Sequence, residues 1–309
     1  MSRAVVVSAY GGPENLSLRD VAVPDPGPGE VTLRQTAVGV NFIDVYFRTG
    51  RYLTPPPPCG IGGEACGVVE KVGAGVADLA VGDRVAYCAP PFGAYAERRT
   101  LGAASLVKVP EGVSDETAAA MMLKGLTAEY LLFRTHAVKE GETVVVHAAA
   151  GGVGLILCQW AKHLGATVVA VVSTDEKAAL ARENGADHAV VTSREEFVPA
   201  VRRATGGAGA DVVYDSVGKD TFLSSLDCAK PRGLVVLFGQ SSGDVPPFDP
   251  QLLSQKGSLF LTRPTLNQYV ATRPELVAAS ERLFSAVKTG TVKIRIGGRY
   301  PLAEAARAH

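Results

Sequence analysis

The sequence predicts an α/β protein with two parts, a β-rich N-terminal domain and a doubly wound domain built on a parallel sheet. Residues 1–115 contain short β-branched segments separated by glycine and proline, as in small β domains. From Gly141 onward, predicted strands and helices alternate, which is typical of a doubly wound parallel sheet. A glycine-rich turn at 149–154 joins the first of these strands to a helix.

The β-rich part is predicted to contain strands at 4–8 and 30–40, each bounded by turn residues. Proline-rich segments at 24–29 and 55–58 are predicted loops, because proline fits neither a helix interior nor a central strand. Glycines interrupt the valine-rich segment 60–73, which indicates β-bulges in a tightly turned structure.

The second part begins with a helix. Ser114 suits its N-cap, and two acidic residues follow at the positive end of the helix. Strands and helices then alternate as far as Thr262, and a helix follows near the C-terminus. The predicted strands are 143–147, 166–172, 188–191, 211–215, 234–238 and 258–262, and the main helices are 155–163, 175–183 and 274–289.

Composition limits the class of protein. The 309 residues are enough for two domains of about 150 residues each. Thirty-one basic and 31 acidic residues give a net charge of zero, whereas a dedicated nucleic-acid-binding protein normally carries a basic surplus. The five cysteines are scattered and form no Cys-x-x-Cys pair, so we expect no disulfide framework and a cytoplasmic location.

The sequence contains no pattern typical of export or membrane insertion. Its N-terminus has one basic residue and a very short apolar run, unlike a secretory signal. The longest apolar stretch, 144–158, is too short and too interrupted to span a bilayer. The chain stops inside a predicted helix, so we expect the natural protein to be longer.

The segment Ala149-x-Gly151-x-x-Gly154 matches a dinucleotide-binding turn whose first glycine is replaced by alanine. Gly151 allows backbone N–H groups to approach a pyrophosphate, and the positive end of the next helix faces the phosphate charge. Gly154 permits close packing of the helix on the strand. Because the turn lies within a strand–helix–strand unit, it predicts a Rossmann domain.

The second strand of this unit indicates which dinucleotide is bound. NAD-binding domains usually carry an acid there, about 20 residues after the turn, that accepts the ribose 2′-hydroxyl. Here Ser173 and Thr174 follow the strand, and Lys177 lies one helical turn beyond Ser173. Hydroxyls and a lysine suit a 2′-phosphate, which favours NADPH. The alternative is that Asp175 binds the 2′-hydroxyl of NAD and Lys177 is a solvated helix residue.

The chain resembles the zinc-free quinone oxidoreductases (zeta-crystallin-like) of the medium-chain dehydrogenase/reductase superfamily. The resemblance is carried by the stretch 147–162 and covers nearly the whole chain. Further matching motifs are Asn41-Phe-Ile-Asp-Val-Tyr46, Gly63-Glu-Ala-Cys-Gly67, Leu123-Lys-Gly-Leu-Thr127, Val213-Tyr-Asp-Ser-Val-Gly218, Phe238-Gly-Gln-Ser-Ser-Gly243 and Lys256-Gly-Ser-Leu-Phe-Leu-Thr-Arg-Pro264.

The resemblance implies a GroES-like catalytic domain (1–124 and 263–309) and a Rossmann NADPH-binding domain (125–262). It places Asn41, Tyr46 and Tyr52 beside the nicotinamide and substrate, although Tyr46 also fits a simple buried tyrosine. Many relatives have a tyrosine where this chain has Thr192. The cofactor-binding residues implied by the turn and the resemblance are Asn41, Thr127, Ala150, Gly151, Gly152, Val153, Gly154, Ser173, Thr174, Lys177, Thr192, Ser216, Phe238 and Gln240.

The resemblance also implies a site without metal. The zinc-dependent relatives hold their metal with Cys and His, but the corresponding segments here read Val38-Gly-Val-Asn41 and Gly62-Gly-Glu64. His147 lies inside an apolar strand and is predicted to be a hydrogen-bonded core residue rather than a base. Lys124 is placed near the junction of the domains, and a solvated position fits it equally well.

Three activities remain open at this point. The leading hypothesis is NADPH-dependent reduction of quinones. The nearest alternative is a zinc-free reductase of enones, 2-alkenals or enoyl thioesters with the same fold, and a third is RNA binding, which the zero net charge makes secondary. The family also implies a homodimer joined through the edge strand 258–262, with a small-molecule partner and no membrane.

Overall fold

A computed structural model describes residues 1–52, 55–88 and 90–309 of the chain. The protein divides into two compact units. Unit 1 comprises Met1–Leu126, Val270–Lys288 and Ile294–His309, and unit 2 comprises Thr127–Tyr269 and Thr289–Lys293. Among the described residues, none of the helices has both the length and the apolar character that crossing a bilayer requires.

Unit 1 is built on antiparallel strands in two sheets. One sheet has the order β2-β1-β4 and the other β7-β3-β5-β6-β8. Register shifts interrupt the pairing of β3 with β5, which confirms the predicted bulges. The strands are β1 Ser2–Val7, β2 Leu16–Val21, β3 Glu30–Gly39, β4 Cys59–Gly60, β5 Glu64–Val72, β6 Arg84–Cys88, β7 Arg98–Gly102 and β8 Val107–Lys108.

A short helix, α1 Phe42–Arg48, follows β3 and was not predicted from the sequence. Its seven residues are too few for a clear helical period, but its start is encoded locally: the Asn41 backbone N–H donates to the Asp44 carboxylate at 2.9 Å. The other helical segments of this unit are α2 Asp115–Tyr130 (which continues into unit 2), α9 Arg273–Lys288 and α10 Ala305–Ala308, with 3-10 turns at Pro13–Asn15, Ala103–Ser105 and Leu302–Glu304.

Unit 2 contains a six-stranded parallel sheet in the order β11-β10-β9-β12-β13-β14, so the predicted doubly wound fold is confirmed. Strands β9 to β12 lie within one residue of their predicted positions, because their valine-rich runs are buried. β13 begins five residues before its predicted start, and β14 begins two residues after its predicted start. They are β9 Thr143–His147, β10 Thr167–Val172, β11 His188–Val191, β12 Ala210–Asp215, β13 Ala229–Leu237 and β14 Phe260–Thr262.

Helices cover this sheet. One core cluster joins strand valines such as Val145 and Val213 with Phe222 and Leu226 of a single helix. The helix after β9 begins at Gly152, three residues earlier than predicted, because two glycines in its first turn resemble a loop in the sequence. The helices are the π-helical turn Leu131–Thr135, α3 Gly152–His163, α4 Asp175–Glu183, α5 Phe197–Ala204, α6 Phe222–Cys228, α7 Gln251–Gln255 and α8 Leu266–Tyr269.

Candidate active site

The sheet of unit 2 has one point where its strand order reverses. The chain proceeds from β9 outward through β10 to β11, and β12 then begins on the opposite side of β9. Ligands of doubly wound proteins bind at such a point, outside the carboxyl ends of the strands. The glycine-rich turn follows β9 directly. The predicted residues follow the carboxyl ends of the strands on either side of β9, namely Ser173 after β10, Thr192 after β11, Ser216 after β12 and Phe238 after β13.

The glycine-rich turn is tightly folded. Ala148 adopts a left-handed φ of 48°, which is uncommon for a residue with a side chain and is not evident in the sequence. Gly151 caps α3, and a Cβ at Gly154 would lie only 2.4 Å from the Ala148 carbonyl oxygen. The structure therefore requires glycine at position 154, and it leaves the start of α3 able to face a phosphate group.

A buried polar network connects β9 and β12 beside this turn. The Ser225 hydroxyl donates to the Asp215 carboxylate at 2.7 Å and lies 3.0 Å from His147 Nε2. Asp215 also accepts the backbone N–H groups of Val217 and Gly218, and it thereby fixes the turn that carries Ser216. Burial lowers the pKa of His147. The prediction that His147 is a hydrogen-bonded core residue is confirmed.

Two cationic side chains lie at the carboxyl ends of β10 and β11. Lys177 Nζ donates to the Ser173 hydroxyl at 3.0 Å, which agrees with the predicted position of Lys177 one helical turn beyond Ser173. Thr174 is the N-cap of α4, and its hydroxyl accepts the Lys177 backbone N–H at 3.3 Å. Sequence reasoning missed Arg194, which follows β11 and forms an ion pair with Asp175. The sequence carries no signal for this contact, because it depends on the pairing and register of β10 and β11.

Unit 1 contains a second cluster of predicted residues. Asn41 is almost fully buried, and its Nδ2 donates to the Glu64 carboxylate at 2.5 Å. Glu64 also accepts the Leu123 backbone N–H at 2.8 Å. Glu64 belongs to the family motif at 63–67, but the sequence does not predict its contact with Asn41. Burial raises the pKa of Glu64 to about 7, and the Lys124 ammonium acts in the opposite direction.

An aromatic cluster lies on and just after α1, the helix whose N-cap is Asn41. The Tyr46 ring is buried, and its centroid lies 5.0 Å from that of Tyr52 and 5.3 Å from that of Phe42. The Arg51 guanidinium lies 5.6 Å from the centroid of the Tyr46 ring. Asp44, also on α1, is fully buried, and burial raises its pKa to about 6. The structure thus brings all three residues predicted to be catalytic into one part of unit 1.

Potential metal-ligating side chains do not cluster in the described residues. Across residues 1–52, 55–88 and 90–309, no three His, Cys, Asp or Glu side chains gather as a metal site would require. Unit 2 has a glycine-rich turn at the strand-order reversal and two cationic side chains near it, and unit 1 has a buried amide and phenols. These features define a dinucleotide-dependent dehydrogenase or reductase.

Comparison with known proteins specifies the family. Residues 27–142 match the alcohol dehydrogenase GroES-like domain, and residues 152–279 match the zinc-binding dehydrogenase family. A quinone oxidoreductase of Pseudomonas aeruginosa is 50% identical, with 100% of this chain and 95% of that protein covered. A 2-haloacrylate reductase of a Burkholderia species is 49% identical over the same shares.

A solved structure is also closely similar. The crystal structure of Escherichia coli quinone oxidoreductase complexed with NADPH has a TM-score of 0.97 and 45% identity, and the match covers 99% of this chain and 94% of that one. The chain belongs to the quinone oxidoreductase family of the medium-chain dehydrogenases/reductases. The predicted GroES-like and Rossmann composition of the fold is confirmed by the same matches.

Proposed function

We propose that this protein catalyses the reduction of quinones with NADPH. The observation that carries the proposal is the match of 45–50% identity along the full chain to quinone oxidoreductases, one of them solved with NADPH bound. The glycine-rich turn at the strand-order reversal and the hydrogen bond from Lys177 to Ser173 support the proposal. The enone and RNA alternatives have weaker support.

The residues of unit 2 fit NADPH. Gly151 allows the backbone of the turn to approach a pyrophosphate, and Gly154 lets α3 pack closely on that turn. The start of α3 favours the negative charge of the pyrophosphate. Lys177 and the Ser173 hydroxyl suit a 2′-phosphate. We assign to cofactor binding, on resemblance and position, the further residues Thr127, Ala150, Gly152, Val153, Thr174, Thr192, Ser216, Phe238 and Gln240.

When bound, NADPH supplies the hydride or electrons that reduce the quinone. The side chains of unit 1 would orient the reactants. Asn41, held by Glu64, offers hydrogen bonds to the nicotinamide end of the cofactor. Tyr46 offers a phenol O–H to a quinone oxygen, and the Tyr46 and Tyr52 rings offer apolar surface to the substrate. We propose 1–124 and 263–309 as the catalytic domain and 125–262 as the NADPH-binding domain. These bounds differ from the two compact units chiefly at 263–269 and 289–293, which belong to unit 2.

Quinones are expected to be better substrates than enones. Reduction of an enone requires a proton donor at carbon, whereas the oxygens of a reduced quinone take protons from water. We expect kcat/KM for 1,4-benzoquinone to exceed that for simple 2-alkenals by at least about tenfold, equivalent to about 1.4 kcal/mol in the barrier. NADPH consumption measured optically provides the test, with 2-chloroacrylate as a further substrate. Equal or reversed values would assign the protein to the enone reductases.

We also propose that the protein is a cytoplasmic, metal-free homodimer. The edge strand β14 pairs on one side with β13, and Phe260 on β14 is 63% exposed. A second copy of β14, related by a two-fold axis, would pair with its free edge and cover Phe260.

The dimer proposal predicts that Phe260→Glu is a monomer at micromolar concentration, because a charge would be buried at the interface. Light scattering measures the mass. Val81 is 67% exposed in unit 1, so Val81→Glu is the matched control and should remain dimeric. A monomeric wild type, or a dimeric Phe260→Glu variant, would contradict the proposed interface.

A further inference from the structure

The ion pair between Asp175 and Arg194 has no role in the function proposed so far. Asp175 is the first residue of α4, directly after the hydroxyl pair that follows β10. Arg194 lies in the turn after β11, where its backbone N–H donates to the Val191 carbonyl. Because Val172 of β10 is in register with Val191 of β11, the two strands end at the same level. The arginine can therefore reach across to α4.

Asp175 is the acid that an NAD-dependent protein would use here. A carboxylate close to the end of this strand accepts the 2′-hydroxyl of NADH and repels the 2′-phosphate of NADPH. In this structure the carboxylate of Asp175 is engaged by Arg194 Nη2. Asp175, which in the alternative interpretation binds the 2′-hydroxyl of NAD, is therefore neutralised by Arg194, 19 positions further along the chain.

Arg194 has the chemistry to hold a phosphate as well. A guanidinium has five N–H donors in a planar fork, and one acid does not use them all. Glu195, the residue after Arg194, does not compete for the Arg194 guanidinium, because Glu195 pairs with Arg203. Arg194 and Asp175 are both more than half exposed, and exposed ion pairs are weak. The 2′-phosphate carries a charge of about −1.5 to −2 and attracts a guanidinium more strongly than one carboxylate does.

We propose that Arg194 determines cofactor preference in two ways: it neutralises Asp175, and its remaining N–H groups bind the 2′-phosphate of NADPH. Lys177 lies on the same helical turn as Asp175, and its Nζ contacts Ser173. The 2′-phosphate would therefore contact a cation from each of two neighbouring strand–helix connections. The inference rests on the proposed use of NADPH and adds to it the residue that suppresses binding of NADH.

The test is a double-mutant cycle read by the fluorescence of bound NADPH and NADH at fixed ionic strength. Arg194→Ala should raise the Kd for NADPH about tenfold, as expected for one charge-assisted hydrogen bond. The same variant should bind NADH about threefold more tightly, because Asp175 becomes free to accept the 2′-hydroxyl. A merely structural role of Arg194 would not improve binding of either cofactor.

The other two variants complete the cycle. Asp175→Ala should bind NADPH at least as tightly as the wild type and leave NADH nearly unchanged. Arg194→Ala with Asp175→Ala should lose the gain for NADH and recover part of the affinity for NADPH. Unchanged Kd values for both cofactors in Arg194→Ala would overturn the inference, as would equal weakening of both.

Measurements on the wild type distinguish a failure of this inference from a failure of the proposed function. If the wild type oxidises NADPH with quinones and prefers it to NADH, the proposed function stands whatever the variants show. If it binds NADH better than NADPH, the proposed function itself fails. Thermal unfolding of each variant verifies the fold, and Arg282→Ala, an exposed arginine on α9 in unit 1, is the control for loss of one positive charge.

Discussion

Replacing Gly154 with alanine is expected to lower NADPH affinity about hundredfold and to destabilise unit 2. The added Cβ would lie 2.4 Å from the Ala148 carbonyl oxygen and 2.7 Å from both the Cα and the carbonyl oxygen of Ala149. All three atoms belong to the backbone, so the turn itself must move. Weakening two hydrogen bonds to the pyrophosphate would cost about 2.8 kcal/mol, which corresponds to a factor of about 100.

The free energy of unfolding of Gly154→Ala should also be lower than that of the wild type. Alanine is favoured over glycine within a helix by about 1 kcal/mol, so a clash-free substitution would stabilise α3. Overpacking against rigid backbone typically costs about 1–3 kcal/mol, and these contacts are short enough to place the cost at the upper end. We therefore expect a net loss of about 1–2 kcal/mol in the free energy of unfolding, measured with urea.

Gly102→Ala is the matched control for this substitution. A Cβ at Gly102 would meet no heavy atom within 4 Å, and its φ is −63°. We expect the stability and the NADPH affinity of this variant to equal those of the wild type. If Gly154→Ala binds NADPH as tightly as the wild type, the turn after β9 does not hold the pyrophosphate.

Lys177→Ala is expected to raise the KM for NADPH about tenfold and to leave the KM for NADH nearly unchanged. Only NADPH carries a charge at the ribose 2′-position. A charge-assisted hydrogen bond is worth roughly 1.5–3 kcal/mol, and the exposure of Lys177 places it at the low end. A loss of about 1.4 kcal/mol corresponds to a factor of ten. Steady-state kinetics with both cofactors provide the measurement.

Lys288→Ala, which removes an exposed lysine at the end of α9 in unit 1, is the control and should change neither KM. The opposite cofactor assignment gives a different pattern. If Asp175→Ala weakens NADH while Lys177→Ala leaves NADPH untouched, Asp175 is the ribose ligand and the preference for NADPH is wrong.

Contacts between residues a few positions apart in the chain were predictable from the sequence. The Thr174 N-cap and the contact of Lys177 with Ser173 each involve residues three or four positions apart on one helical turn. The parallel strands were also found, because an apolar run between turn residues is a local signal. In contrast, α1 was missed because a seven-residue helix is too short to show a period.

The contacts that the sequence does not predict connect residues far apart in the chain. Asn41 meets Glu64 across 23 positions, and Arg194 meets Asp175 across 19. No spacing rule relates such residues, because their distance depends on which strands are neighbours and in what register they pair. The sequence by itself determined the doubly wound sheet, the glycine-rich turn after β9 and the position of Lys177 one helical turn beyond Ser173, through local periodicity and turn chemistry. Only the tertiary structure decided that Asp175 is neutralised and that Asn41 is held by a buried carboxylate.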